Sequence, residues 1–561
     1  MPAPRRSHLA ARMLVLALLA LTSTAATAQT SHFSRIYGDN GNDEGYSLVR
    51  SDNGDIYVTG SFTGNLDLGG ETLSAVGLTD VFVARFDPEG GHIWSLSFGS
   101  TGVDGGRGID VNDFGEIYVG AQVGGAVTLD GTTYPALGSL DAFLAAFDEA
   151  GQPLWARMMG GPFEDRINAV AAHTGRVVVV TGQFQGPASF GGSGFNFGMG
   201  HSMFLAMYDD VGGYAWSRAA APTGTLYSSY GYGVAVRDDG RIWVTGTASH
   251  GVDLGGGPLV VSGSQDAFLA LYTAAGTHAA STLLGSFGIE TGADMAAGPG
   301  SSALLVGGFT GTVDFGGGPV NSAGGSDIFL ARFDAGLAHV WSAGFGDASD
   351  QFATGVDVLG ESVALTGQFE GSLDLGGGTF ESGGPDPDGF VAVFDALGVH
   401  QWSHGYGNDE SLVYGHEVAA APDARAWVTG GAVGSVDFGG GVLTTSAGSY
   451  DAYLALFGPV EVTAVAALPP AMVMGAPTPN PFNPSTRLAF SLARAGTVAL
   501  TVHDLSGARV RTLYAGPLPG GDHTYAWDGR DDGGRGVASG VYHFRLETVA
   551  GAQTRKAVLL K

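Results

Sequence analysis

From residue 31 to residue 458 the chain is written in short apolar runs, rich in β-branched and aromatic residues and punctuated by Gly, Asn and Asp. That pattern predicts strands rather than helices. The runs recur in a fixed order. With Asp55 to Gly64 as a ruler, the position of Gly60 returns as Ala121, Gly182, Gly246, Gly307, Gly367 and Gly430, at intervals of 61, 61, 64, 61, 60 and 63 residues. Self-similarity at such a period marks a repeat architecture, because one unit cannot bury its own apolar faces and must stack on copies of itself.

Each unit resolves into four predicted strands. The first is small-sided and centred on Leu48, Ile109, Val170, Val234, Met295, Val356 and Val418. The ruler is the second. The third opens on Asp80, Asp141, Asp266, Asp327, Asp388 or Asp451, with Ser202 in the third unit. The fourth carries Trp94, Trp155, Trp216, Trp341 or Trp402, with Ala280 in the fourth unit. Four strands in each of seven units predict a β-propeller. No tryptophan strand follows Phe457 in the seventh unit, whereas Phe33 opens the repeat with nothing before it, 27 residues ahead of Gly60 as Trp94 is ahead of Ala121. The predicted pairing is therefore Phe33 to Tyr37 against Ala452 to Phe457, which closes the ring and hides both sheet edges.

The Asp-Ala-Phe-Leu-Ala strand, the Gly-Gly turn and the Val-Thr-Gly strand resemble the SBBP family of bacterial β-propeller repeats. The resemblance covers residues 31 to 458 and implies a fold without a defined activity. Ser202, Ala280 and Ala121 depart from it.

The ends of the chain predict its destination. Arg5, Arg6 and Arg12 precede the apolar run from Met13 to Leu21, and Ala26-Thr-Ala28 has the small-x-small form of a cleavage site. The run is too short to span a bilayer, so residues 1 to 28 are expected to be a removed secretion signal, with no transmembrane segment in the mature chain. Proline becomes frequent across an expected linker at 459 to 476. Residues 477 to 561 alternate in short runs that predict a small immunoglobulin-like sandwich. The overall expectation is an all-β chain: a seven-bladed propeller closed by its N-terminal strand, then the sandwich.

Pro479-Asn-Pro-Phe482, Asp504-Leu-Ser-Gly507, Ser539-Gly-Val-Tyr542 and Lys556 to Lys561 resemble a type A sorting domain of the type IX secretion system. Trp527-Asp-Gly-Arg-Asp531 with Gly540-Val-Tyr542 is similar to the FlgD-like immunoglobulin-like module. The first resemblance implies an address read by secretion machinery and a final place outside a bacterial cell or on its outer surface. The second fits a structural stalk.

A formal charge of −29, with 54 acidic against 25 basic residues, disfavours nucleic acid and anionic membranes as partners. The absence of cysteine excludes disulfides and leaves stability to the core. No cofactor fingerprint is evident. Calcium is the one ion suggested, by the oxygens of Asp39, Asp43, Asp104, Asp165, Asp350 and Asp409 in the loops between units. Repeated Asp in such loops equally serves to hold turns. The Asp of the Leu-Asp-Leu-Gly-Gly phrase, as at Asp67, reads as a tight turn rather than a phosphate cradle, and His92, His278, His339 and His400, each two residues before the tryptophan column, read as scaffold. Function is expected where the repeat breaks. Candidate ligand-binding residues are Tyr227, Tyr230 and Tyr232, then Phe195, Phe197 and His201, and the carboxylates Asp357 and Glu417, which with Asp110 and Asp294 interrupt the small-sided strand. Two classes follow: a non-catalytic surface or secreted protein that binds a glycan or protein ligand, or an extracellular carbohydrate-active hydrolase or lyase with its site at the propeller mouth.

Overall fold

The computed structural model describes residues 30–173, 176–224, 228–237, 239–446, 448–459, 472–492, 496–548 and 551–561. The expected signal segment with Ala26 and Ala28, most of the expected linker, and Tyr227 lie outside the described residues. The chain divides into two units between Val460 and Glu461.

In the first unit, seven four-stranded antiparallel sheets follow one another along the chain, and no α-helix occurs among the described residues. The third strands explain the uninterrupted apolar runs. Along Asp80–Phe86, Phe82, Ala84 and Phe86 enter a core shared with the seventh sheet, while Val81 and Val83 enter a core shared with the second. Alternate side chains serve opposite faces, and both faces are covered. The first strands, Glu44–Arg50, Gly105–Val111, Asp165–His173, Ser228–Val236, Glu290–Gly298, Gln351–Leu359 and Leu412–Ala421, pack each against the next. Leu412–Ala421 in turn packs against Glu44–Arg50. The arrangement is β-propeller-like.

The seventh sheet takes its fourth strand from the other end of the unit. Thr30–Tyr37 pairs antiparallel with Asp451–Gly458, with Tyr37 opposite Ala452 and Phe33 opposite Leu456. Phe33 also does the work of the tryptophans. The rings of Trp94, Trp155, Trp216 and Trp341 lie where a side chain on Gly151, Gly212, Gly276 or Gly398 of the following sheet would stand, and Phe33 lies in the same way against Gly90 of the first. Each indole also donates to a carbonyl of the following turn, as from Trp155 Nε1 to Asp210 O at 2.8 Å and from Trp216 to Ala274 O at 2.9 Å. Trp402 faces the sheet whose third and fourth strands no turn joins, and it donates to Ala424 O instead.

The missing tryptophan at Ala280 is compensated across the sheet boundary. In the next sheet the turn residue is Leu337 rather than glycine. It holds a left-handed φ of 68° and packs on the core between the fourth and fifth sheets. Leucine fills the space the indole leaves, at a backbone cost of about 1 kcal/mol. Ala280→Trp alone should therefore lower the melting temperature, by overpacking worth about 1–3 kcal/mol. Joined to Leu337→Gly, it should return the melt to the wild-type value or above.

In the second unit, Met472–Met474, Thr486–Leu492 and Gly521–Trp527 form one sheet, and Gly496–His503, Arg509–Leu518, Gly540–Thr548 and Gly551–Leu559 the other. The two close on one core around Trp527, Phe544 and Leu500. Its first strand begins inside the segment expected as linker, because Met472 to Met474 pair with Phe490 to Leu492. The phrases that carried the resemblances hold this unit together. Asn480 accepts from Val558 N at 2.8 Å, Phe482 packs on Trp527 with ring centroids 5.4 Å apart, and Lys561 N donates to Ser539 Oγ.

Candidate functional site

All seven first strands break register at the same point. The shifts fall between Gly45 and Ser47, Gly106 and Gly108, Ile167 and Ala169, and Gly231 and Gly233. They recur between Gly292 and Asp294, Ala353 and Gly355, and Gly415 and Glu417. Each is a β-bulge whose extra residue is left out of the ladder, a device that re-aims a side chain. The ruler glycine makes room for it: a Cβ on Gly60 or Gly430 would land on the carbonyl oxygen of Glu44 or Tyr414, two residues before the bulge. Where Ala121 replaces that glycine, the facing strand carries consecutive Gly105 and Gly106, whose backbone can yield.

The bulged residues are Tyr46, Arg107, Asn168, Tyr232, Ala293, Thr354 and His416, and all seven line one cavity of about 560 Å³ between the first strands. The geometry repeats seven times while the side chain does not. One stretch of wall is cationic and aromatic. The Arg107 guanidinium lies 4.0 Å from the Tyr46 ring centroid, and the Tyr46 and His416 rings are 5.3 Å apart. His416 Nε2 meets Glu44 at 3.1 Å, and this bond draws the Glu44 carboxyl below its ordinary range against the opposing effect of burial. Arg166 also lines the cavity, and its Nε, like that of Arg107, is buried without a hydrogen-bond partner. Burial pushes the Arg166 guanidinium below its usual value, and the charge of Arg107 adds to the effect.

The cavity also carries carboxylates. Asp294, Asp357 and Glu417 line it, one residue before or after the strand centres. They clasp neighbouring sheets: Asp294 accepts from Val356 N at 2.9 Å and Asp357 from Ala420 N at 2.8 Å. Asp110 accepts from Ala172 N at 2.7 Å in the same way. These amides sit on strand edges that have no further ladder partner, so each carboxylate satisfies a donor the fold leaves open. The groups are partly buried. Burial pushes Asp110 and Asp294 up to about 7, and Asp357 is raised by the same cause. Glu417 is raised well above its ordinary value by burial and then by the charge of Asp294.

The expected ligand-binding residues divide. Tyr232, Asp357 and Glu417 line the cavity. Tyr230 stacks on Tyr232, with centroids 5.9 Å apart and planes 7° from parallel, and His201 lies 5.4 Å from Tyr230. Burial pushes His201 below its usual value. Phe195 and Phe197 are elsewhere, packed on Phe184 in the core of the third sheet. Tyr46, Arg107, Arg166, Asn168, Thr354 and His416 were not among the expected residues. Their signal is a column two residues before each strand centre, or four in the case of Arg166, where identity changes from unit to unit.

The loop carboxylates suggested for calcium hold backbone. Asp43, Asp104 and Asp165 each accept from the N–H four residues before and from the N–H twenty residues after. Burial pushes Asp43 and Asp165 up to about 7. Asp39 accepts from Gly41 N and Asp350 from Ser326 N, both within 2.8 Å, and Asp409 lies against Gly383. Among the described residues no group of three or more His, Cys, Asp or Glu is placed to hold a metal ion. Asp67 and its counterparts close the expected tight turns, as in Gly69 N to Asp67 at 2.8 Å. His92, His278, His339 and His400 each bond a serine three residues on, so they are scaffold.

Residues 480–552 match the FlgD Ig-like domain family. No curated protein matches the chain. Among solved structures, the chain is 10% identical to the Neurospora crassa Pan2 WD40 domain, over 63% of this chain and 89% of that one, with a TM-score of 0.33. It is 13% identical to PorZ, a bacterial surface component of the type-IX secretion system of Porphyromonas gingivalis, over 92% of this chain and 81% of that one, with a TM-score of 0.24. It is 12% identical to an ulvan lyase of polysaccharide lyase family PL25, over 72% and 93%, with a TM-score of 0.39. None of the three is similar enough to carry an inference.

Proposed function

We propose that the first unit is a seven-bladed β-propeller of the SBBP kind, closed by its N-terminal strand, and that it is a non-catalytic binding protein taking its ligand at the mouth of the axial cavity. The observation that carries this reading is the set of seven bulges, which place unlike side chains at one repeated position around one cavity. A scaffold that repeats everything except the residues facing a cavity is built to present those residues. The secretion signal and the second unit export the chain, the second unit serving as a sorting domain, and the working place is outside the cell or on its surface.

The test is a screen of the purified chain against glycans and peptides, repeated with Tyr46→Ala and His416→Ala. A ligand should bind the wild type and be lost from both variants at unchanged melting temperature. Binding indifferent to both substitutions overturns the reading. Removal of residues 477 to 561 should leave the chain in the periplasm by cell fractionation; release in full would remove the sorting role.

One observation favours the competing enzyme reading. Asp294 and Glu417 are carboxyl groups held at raised pKa beside the cavity, as a general acid requires. Turnover of a glycan that Glu417→Gln abolishes would decide for it.

A further inference from the structure

The axial cavity is lined by charge of both signs. Arg107 and Arg166 come from the second and third sheets and Asp294, Asp357 and Glu417 from the fifth to seventh, where the charge of Arg50 from the first sheet acts on Asp357. In a chain of net charge −29, two guanidinium groups that share a cavity and turn buried Nε atoms to no partner call for an explanation. A buried donor without an acceptor is costly, and two cations close enough to feel each other compound the cost. A bound anion beside the two guanidinium groups offsets their shared charge.

From the cavity we infer that the ligand is an acidic sugar, a ring carrying a carboxylate or sulfate group, as in a segment of an anionic glycan. This rests on the reading of the cavity as a binding site. The planar forks of Arg107 and Arg166 suit bidentate recognition of an oxyanion. Tyr46 and Tyr232 beside them offer flat faces with polar tips, suited to the mixed surface of a sugar ring. The carboxyl groups of Asp294, Asp357 and Glu417 offer hydrogen-bond partners to the hydroxyls that a sugar has and a simple anion lacks. The small bulged residues Ala293 and Thr354 leave the intervening space open, and about 560 Å³ lies within the size range of small-ligand sites. A peptide is the poorer fit. Strand addition needs free edge amides, and those facing the cavity at Ile109, Val356 and Ala420 already donate to Ser47, Asp294 and Asp357.

Calorimetric titration of the full chain with trigalacturonate, a sulfated galactan trisaccharide and neutral galactotriose tests this. At least one acidic trisaccharide should bind and the neutral one should not. Arg107→Gln and Arg166→Gln should each weaken binding on the order of tenfold, while the unliganded variants melt no lower than the wild type. Because the chain as a whole is strongly acidic, adsorption of an anion elsewhere is disfavoured, so uptake reports on these arginines. The two acidic arms tell carboxylate from sulfate. Equal binding of acidic and neutral sugars, or no binding of either acidic sugar, overturns the inference. If a neutral glycan or a peptide binds, is lost in Tyr46→Ala, and is indifferent to Arg107→Gln, the cavity is a binding site and the acidic ligand is wrong. If no ligand responds to any cavity substitution, both readings fall.

Discussion

A chain lacking residues 31 to 38 should unfold far more readily than the full chain, and as a whole rather than at one edge. The deletion removes the strand that pairs with Asp451–Gly458 and takes Phe33, Ile36 and Tyr37 out of contact with the cores of the first and seventh sheets. Three largely apolar side chains at about 1.5–3 kcal/mol each put the loss on the order of 5 kcal/mol, comparable with the net stability of many domains. It also uncovers the edge of the third strand of the seventh sheet, a template for pairing between molecules. The measurements are thermal unfolding and light scattering. A lowered melting temperature with concentration-dependent aggregation is expected, and a peptide of residues 30 to 38 added in trans should recover part of the loss. A truncated chain that melts like the full one would refute the strand exchange as the element that joins the two ends of the first unit.

The protein should be more stable at pH 5 than at pH 8. Asp43, Asp110, Asp165 and Asp294 are pushed up to about 7 and Asp388 to about 6, in each case chiefly by burial. For a carboxyl raised on folding, the unfolded chain gives up its proton first, near the ordinary value of 3.8. Between about pH 4 and 7 the native state therefore holds more protons, and stability falls as pH rises through that window. Self-repulsion of the −29 charge acts in the same direction. Asp347, drawn down to about 2 by backbone and side-chain hydrogen bonds that overcome burial, acts oppositely: its contribution is present above pH 4 and lost below. The melting temperature should decline by several degrees from pH 5 to pH 8 at fixed ionic strength. Asp110→Asn and Asp294→Asn should flatten the decline, because the amide oxygen can still accept from Ala172 or Val356 and no longer ionises. A melting temperature that holds or rises over that range would contradict the burial of these groups.

Much of this structure could be read from phase alone. The spacing from Phe33 to Gly60 matches that from Trp94 to Ala121, and the strand so identified pairs with Asp451–Gly458 and sets Phe33 against Gly90 as Trp94 is set against Gly151. Ala280 reads as a lapse in the pattern when taken alone, and Leu337, packed on the core between the fourth and fifth sheets, compensates it through a contact that no local phrase links. The repeated Asp67 and His92 columns were legible as scaffold for the reason that makes them useful there: a turn or a packing contact needs the same chemistry each time.

The cavity was legible only in part. Asp357 and Glu417 stood out as interruptions of a small-sided strand, and Tyr232 as part of an aromatic run where other units carry an acidic loop. Arg107, Tyr46 and His416 did not, because a period-two reading of that strand assigns them an ordinary place in the ladder. A bulge is set by the fit of two backbones, and it moves a side chain out of the alternation that sequence reasoning relies on. Phe195 and Phe197 erred the other way, since an aromatic insertion looks alike in sequence whether it packs on Phe184 or faces solvent.

The seven bulges also separate heredity of shape from heredity of specificity. Each displaced residue sits outside the ladder and opposite a backbone that tolerates it, so exchanging it need not disturb a sheet. Duplication of one unit copies the socket, and later change at a single codon per unit alters what the socket displays. Tyr46, Arg107, Asn168, Tyr232, Ala293, Thr354 and His416 then form a seven-letter field that drift or design can rewrite on a constant frame.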